Sequence, residues 1–162
     1  MEKIKLEIKW AVIFMITQLL WMLIEKLSGL HSTHIDQHMF WTNIFAIIAI
    51  TIYVFALRDK KKSDYSGQMT YLQGLKSGII ISVIVAIFSP LTQWITATLI
   101  TPEYFPNIIE YSVKEGHYDS VEDAQKYFNL KNYMVQSAVG ALMMGIVTSA
   151  IVAAFVRTKS KG

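Results

Sequence analysis

The sequence predicts an all-α integral membrane protein, with four transmembrane helices in an antiparallel bundle and a short amphipathic helical hairpin between spans 3 and 4. Hydrophobic residues make up 53% of the 162 residues and charged residues only 17%, which is below the usual quarter of soluble chains. Four apolar stretches each approach the ~20 residues that a bilayer core requires. The spans are expected at 8–27, 38–57, 76–100 and 132–156 and the hairpin at 102–130, all in a single domain of residues 1–162.

Composition excludes several classes of function. The chain has no cysteine, so disulfides, thiol catalysis and cysteine metal sites are absent. The net charge of +3 does not indicate nucleic acid, because the lysines cluster beside apolar stretches in the pattern of membrane topology. Fingerprints of zinc peptidases, serine hydrolases, P-loops and dinucleotide sites are missing, so no enzyme is predicted. The central part of each span lacks ionisable residues, which argues against a proton-driven exporter.

The first span contains an apolar run from Trp10 to Ile24, which comes after a charged start. This pattern is also typical of a signal peptide, but no small-residue cleavage site follows, so we expect an uncleaved helix. Gly29 is expected to end it, and Gln18 to bond a neighbouring helix.

The loop after the first span holds three of the four histidines. Thr33 and Asp36 form a capping-box pattern that predicts a helix start near His34. His34 and His38 would then lie one turn apart on one face, close to Glu25 and His31. A histidine pair with a carboxylate is a candidate divalent metal site, for zinc or nickel. The alternative is interfacial histidines bonded to water, lipid headgroups or loop carbonyls, with no cofactor.

The second span, Phe40 to Leu57, leads into a basic loop from Arg58 to Gly67. Positive residues near spans stay on the cytoplasmic side. Eleven of the fifteen basic residues fall on one side of a four-span arrangement, which places both termini in the cytoplasm. The eleven are Lys3, Lys5, Lys9, Arg58, Lys60, Lys61, Lys62, Lys76, Arg157, Lys159 and Lys161; the other four are Lys26, Lys114, Lys126 and Lys131.

The third span begins at a capping box formed by Thr70 and Gln73. Small residues recur every fourth position along it, at Gly74, Gly78, Ser82 and Ala86. Pro90 continues the series and should kink the helix, either as a static packing feature or as a hinge.

The segment 101–131, which includes the hairpin, carries six acidic residues against three lysines. Thr101, Pro102 and Glu103 predict the start of its first helix, and Gly116 its end. Ser120 and Asp123 predict the start of the second helix. The hairpin either docks a membrane or periplasmic partner protein, at 101–131, or forms a lid over the bundle.

The fourth span, Tyr133 to Val156, has 24 residues without a charge. Small residues again recur every fourth position and let another backbone approach closely. They are Ser137, Ala141, Gly145, Ser149 and Ala153. We expect this face to meet the small face of the third span; the alternatives are lipid or another subunit of a homo-oligomer.

Several stretches resemble the domain-of-unknown-function family 4199, along nearly the whole chain. They are WMLIEKLSGLH, FALRDKKKSDYSGQMTYLQGLKSG, SPLTQWI with ITPEYFPNIIEYSVKEG, and the Ala/Gly-rich last span. The resemblance implies a bacterial inner-membrane protein and brings no activity. Positions matching the family pattern are Glu25, His31, Gly74, Gly78, Pro90 and Pro102.

Two functional hypotheses follow. The first is a non-enzymatic interaction or accessory protein of the inner membrane. The second is a small transporter, channel-like or metal-handling protein that uses the Glu25, His31, His34 and His38 patch.

Overall fold

The computed structural model describes residues 4–158, and every regular element within them is helical. The all-α prediction is therefore confirmed for this part of the chain. Lys3, Lys159 and Lys161, which enter the charge count above, lie outside the described residues. The helices are α1 Lys5–Leu27, α2 His38–Thr42, α3 Phe45–Asp64, α4 Tyr71–Ile95, α5 Tyr104–Lys114, α6 Val121–Tyr127 and α7 Leu130–Val156. A 3₁₀ turn at Ile35–Gln37 precedes α2, and a π-helical turn at Thr96–Ile100 follows α4.

Four helical stretches are long and apolar enough to cross a membrane: Lys5–Leu27, Ile35–Asp64, Tyr71–Ile100 and Val121–Val156. Large apolar side chains on their outer surfaces are exposed, among them Leu20, Ile47, Ile87 and Phe155. Such a surface would be costly in water and is suited to lipid.

The helix α3 extends two turns beyond its predicted end at Leu57. The stretch Arg58–Asp64, predicted as a basic loop, is therefore helical. Lys60 explains this locally, since its ammonium pairs with Asp64 one turn later at 2.6 Å. Basic side chains also interact favourably with the carbonyls at a helix C-terminus.

The most extensive helix contact is between α4 and α7. A Cβ atom built on Gly78 would lie 2.4 Å from Ser149 Oγ, and one built on Gly145 would lie 2.4 Å from Ser82 Oγ. The approach at Gly74 is less close, since a Cβ built there would lie 3.2 Å from Ala153 Cβ. The two backbones approach so closely because these positions carry little or no side chain. Tyr53 on α3 adds a bond of 2.8 Å between its hydroxyl and Ser82 Oγ.

The start of α4 is the predicted capping box: Thr70 Oγ1 accepts from Gln73 N–H, and the Gln73 side chain accepts from Thr70 N–H. Pro90 lies inside α4, which continues to Ile95 and then widens into the π-helical turn.

The predicted cap at Thr101 is wrong. The helix α5 starts at Tyr104 behind Glu103, with no side-chain cap, and the Thr101 hydroxyl is buried without a partner among the described residues. Thr101 instead ends the π-helical turn, since its N–H bonds the carbonyl of Thr96 at 2.8 Å, and the N-cap position of α5 falls two residues later at Glu103. Two other predictions for this region are confirmed. The helix α5 ends just before Gly116, which has a φ of +75°, and α6 starts behind Ser120, whose hydroxyl accepts a hydrogen bond from Asp123 N–H.

Candidate metal centre

The last turn of α1 presents Glu25 to the inside of the fold. The helix stops at Leu27, and Gly29 takes a left-handed conformation (φ +78°) that reverses the chain. The amide of Leu30 then bonds back to the carbonyl of Glu25 at 3.0 Å. This tight return places His31 directly over the Glu25 side chain.

The helix start predicted near His34 is present only as the 3₁₀ turn Ile35–Gln37, without the predicted cap from Thr33. His34 precedes the 3₁₀ turn, which has no side-chain cap from Thr33, and α2 begins only at His38. The amides of Ser32 and His34 both bond to Gly29 O, which holds residues 29–34 in a turn instead of a helix. His34 and His38 therefore do not share one α-helical face.

Three of the four predicted metal residues nevertheless meet in one place, which we call the histidine cluster: Glu25, His31 and His38. Glu25 Oε2 lies 3.1 Å from His31 Nε2 and 3.4 Å from His38 Nε2. Glu25 and His31 are buried, and the His38 side chain is only 19% exposed. His34 is exposed and stands outside this group.

The spacing of the histidine cluster suits a small metal ion. At zinc bond lengths of ~2.0–2.2 Å, two ligands of a tetrahedral ion lie about 3.3–3.6 Å apart. The two carboxylate–imidazole distances are close to that spacing, and all three ligand atoms lie within 4.8 Å of one another. Modest side-chain rotations would therefore bring all three atoms to bonding distance.

A neighbouring group orients the carboxylate. Trp21, one turn before Glu25 on α1, donates its indole N–H to Glu25 Oε1 at 2.5 Å. This bond leaves Oε2 directed at the two imidazoles. Partners of this kind orient ligands in known metal sites.

The helix α5 covers the histidine cluster. The Tyr104 ring lies 5.2 Å from the His31 ring and 5.3 Å from the His38 ring, between centroids. Asn107 donates its side-chain amide to His31 O at 2.8 Å. Burial, with a smaller contribution from Tyr133, raises the pKa of the Tyr104 hydroxyl well above its usual range, so Tyr104 stays neutral here.

One nitrogen of the cluster is unsatisfied. His31 Nδ1 is buried and has no hydrogen-bond partner within residues 4–158. An unpaired buried polar atom costs about 1–3 kcal/mol. The unpaired Nδ1 is not the nitrogen that faces Glu25, so a metal ion on Nε2 would leave it without a partner.

A second buried cluster escaped the sequence analysis. Glu7, at the start of α1, is 1% exposed, and its Oε1 lies 2.8 Å from Lys60 Nζ. Ser77 on α4 donates its hydroxyl to the same oxygen at 2.8 Å, and Lys60 also binds Asp64. We call Glu7, Lys60, Asp64 and Ser77 the lysine cluster. One feature of the sequence could have indicated this cluster. Glu7 and Glu25 are about five helical turns apart, so both carboxylates lie on the same face of α1.

These features define the class of protein. Four long apolar helices indicate a multi-pass membrane protein, with one buried ionic cluster near each end of α1. The chain belongs to the family described as protein of unknown function, DUF4199, whose model matches residues 9–158. No curated protein and no solved structure matches the chain.

Proposed function

We propose that the protein crosses a bacterial inner membrane four times as an antiparallel bundle, and that its histidine cluster binds a divalent transition metal ion, zinc first. The observation that carries the metal is the convergence of Glu25 Oε2 and the Nε2 atoms of His31 and His38 in a buried site. Imidazole nitrogen and carboxylate oxygen are ligands that zinc prefers.

The proposed orientation has both termini in the cytoplasm. It is supported by the charge pattern, since Lys9, Arg58, Lys61 and Lys76 each lie within two residues of a member of the lysine cluster in sequence. Because positive residues are retained in the cytoplasm, the histidine cluster would face the other side. A periplasmic site of this kind would meet metal that enters from outside.

We propose a structural role for the metal ion, which would hold neighbouring segments of the chain together and would not catalyse a reaction. The ligands come from the end of α1 and from the segment leading into α2, and α5 covers them through Tyr104 and Asn107. A bound ion would tie these segments together. This is the action expected of an accessory protein whose outer surface depends on metal supply.

A zinc titration of the purified protein tests the proposal. The expected result is one zinc per chain, with affinity lowered by at least about 10–100-fold in His31→Ala and His38→Ala, the loss typical when a metal site is disturbed. His117→Ala is the matched control, because His117 is exposed on the turn between α5 and α6. Equal zinc binding by all four proteins would overturn the proposal.

A second candidate function is docking of a membrane or periplasmic protein on the hairpin. It is favoured by an open apolar groove between α5 and α6, lined by Phe105, Ile109, Val113 and Val121. A photo-crosslinking side chain at Val113 should capture a discrete partner, while the same group at Asp119, exposed on the turn, should not. Capture of nothing but the protein itself at both positions would exclude this candidate.

A further inference from the structure

A cavity beside α1 leads to the histidine cluster from outside. It is bounded by the last two turns of α1 and by the segment Leu30–Trp41, and it has a volume of about 380 Å³. A zinc ion with six waters needs about 180 Å³ at ~30 Å³ per water, so the cavity has room for a hydrated ion. The lining residues are Trp21, Ile24, Glu25, Ser28, Leu30, His34, Gln37 and Trp41.

Two of these eight residues carry common zinc ligands: Glu25 at the inner end and His34. Ser28 is occupied, since its hydroxyl donates to Ile24 O, and Gln37 Oε1 accepts from the Trp41 indole. The rest of the lining is apolar or aromatic. His34 and Glu25 are therefore the groups in this cavity that can hold a metal ion strongly.

The backbone fixes His34 at this place. Its amide bonds to Gly29 O at 2.8 Å, and its ring is against Gly29, where an added Cβ would lie 3.2 Å from His34 Cδ2. Gly29 also needs its left-handed conformation. The turn thus presents an exposed imidazole in the cavity while keeping it out of the buried cluster.

The histidine cluster itself offers three ligands from the described residues, one fewer than a closed tetrahedral zinc site. Zinc sites with three protein ligands keep one position for an exchangeable group. Glu25 belongs both to the cluster and to the cavity, so the cavity is the natural side for that open position.

We propose that His34 is a transfer ligand, which captures zinc at the cavity and passes it to Glu25, His31 and His38; this rests on the proposed metal site. In the step, a bond forms between zinc and His34 Nε2 or Nδ1 as a water leaves. That bond breaks, and all but one of the remaining waters leave, when Glu25 and the two histidines bind. Zinc keeps its charge, and any proton on these imidazoles goes to solvent.

A transfer ligand and a resident ligand give different results. A transfer ligand lowers the barrier in both directions, so its loss slows loading and unloading equally and leaves Kd unchanged. We expect His34→Ala to slow both rates about tenfold, equivalent to about 1.4 kcal/mol of barrier. His38→Ala should instead weaken Kd, and His117→Ala should change neither quantity.

The experiment uses the full-length protein in detergent with zinc alone. Stopped-flow mixing with a fluorescent zinc indicator gives the loading and unloading rates, and an equilibrium titration gives Kd. Free imidazole added to His34→Ala should restore the rates, because it fits the space left by the side chain. Unchanged rates in His34→Ala, or a loss of affinity as large as that in His38→Ala, would overturn the transfer role. Absence of zinc binding by the wild-type protein would overturn the metal site as well.

Discussion

The two buried glutamates of α1 occupy the same face of one helix, about 27 Å apart along its axis, yet their partners differ. Glu7 meets the ammonium of Lys60 and the hydroxyl of Ser77. Glu25 meets two imidazoles and an indole. A lysine in a close ion pair keeps its proton and cannot bind a metal beside that carboxylate. A histidine can lose its proton and offer a lone pair. The partner therefore decides whether a buried carboxylate is held in a fixed ion pair, as Glu7 is, or is available for the metal binding proposed at Glu25.

The largest expected effect is at the lysine cluster. Lys60→Met leaves Glu7 buried without its cationic partner, and breaking a buried pair in this way costs about 3–5 kcal/mol. The measurement is unfolding in detergent, followed by circular dichroism. The control is Lys62→Met, which removes an exposed lysine from the same helix. Equal stability of the two variants would mean that the Glu7–Lys60 pair has no structural role.

The contact between α4 and α7 gives the next largest effect. Gly145→Ala places a methyl group 2.4 Å from Ser82 Oγ, and overpacking costs about 1–3 kcal/mol. Gly140→Ala on the same helix is the control, since nothing among the described residues lies within 4 Å of its added Cβ. That change should stabilise by about 0.5–1 kcal/mol. A reversed order in the same unfolding assay would place the contact face elsewhere.

Tyr104 gives an effect that depends on pH. Its raised pKa means that folding favours the neutral hydroxyl, so this stability is complete below the unfolded pKa of about 10 and is lost as pH rises above it. Tyr104→Phe should therefore unfold less readily than the wild-type protein between pH 10 and 12. Identical alkaline unfolding curves would show that Tyr104 is not buried against the histidine cluster.

At neutral pH the same Tyr104→Phe variant should give the smallest effect. Among the described residues, the Tyr104 hydroxyl has Tyr133 as its hydrogen-bond partner, at an oxygen–oxygen distance of 3.5 Å, which is long for a hydrogen bond. The expected loss is at most about 0.5 kcal/mol. Tyr104→Leu removes the ring contacts with His31 and His38 as well, and such contacts contribute about 0.5–1.5 kcal/mol. A larger loss in Tyr104→Phe than in Tyr104→Leu would contradict this assignment.

Much of the fold could be predicted because the signals are local. The apolar lengths give the spans, and Thr70 with Gln73 and Ser120 with Asp123 give two helix starts. Thr33 and Thr101 carry the same kind of signal and failed. In both cases backbone bonds, to Gly29 O and Thr96 O, had already fixed the segment in another conformation. A helix start predicted from a capping pattern competes with such turns. The sequence alone does not show which of the two conformations has the lower free energy.

The sequence predicted which residues form the histidine cluster, but it did not predict the backbone conformation that brings them together. Glu25, His31 and His38 meet because Gly29 reverses the chain, whereas the sequence argument relied on a helical pairing of His34 with His38 that does not form. Glu7 and Lys60 were missed because their contact joins residues 53 positions apart, and each has other charged residues nearby in sequence. No period or motif links them. Only the packing of α1 against α3 does so.

The most direct test compares zinc binding by Glu7→Gln and Glu25→Gln, measured as zinc per chain and as Kd on the purified proteins. Both substitutions remove one buried carboxylate charge from the same helix face. We predict that Glu7→Gln binds one zinc with wild-type affinity, and that Glu25→Gln loses at least about 10–100-fold in affinity. Equal zinc binding by the two variants, or loss in Glu7→Gln alone, would contradict the assignment of the histidine cluster as the metal site.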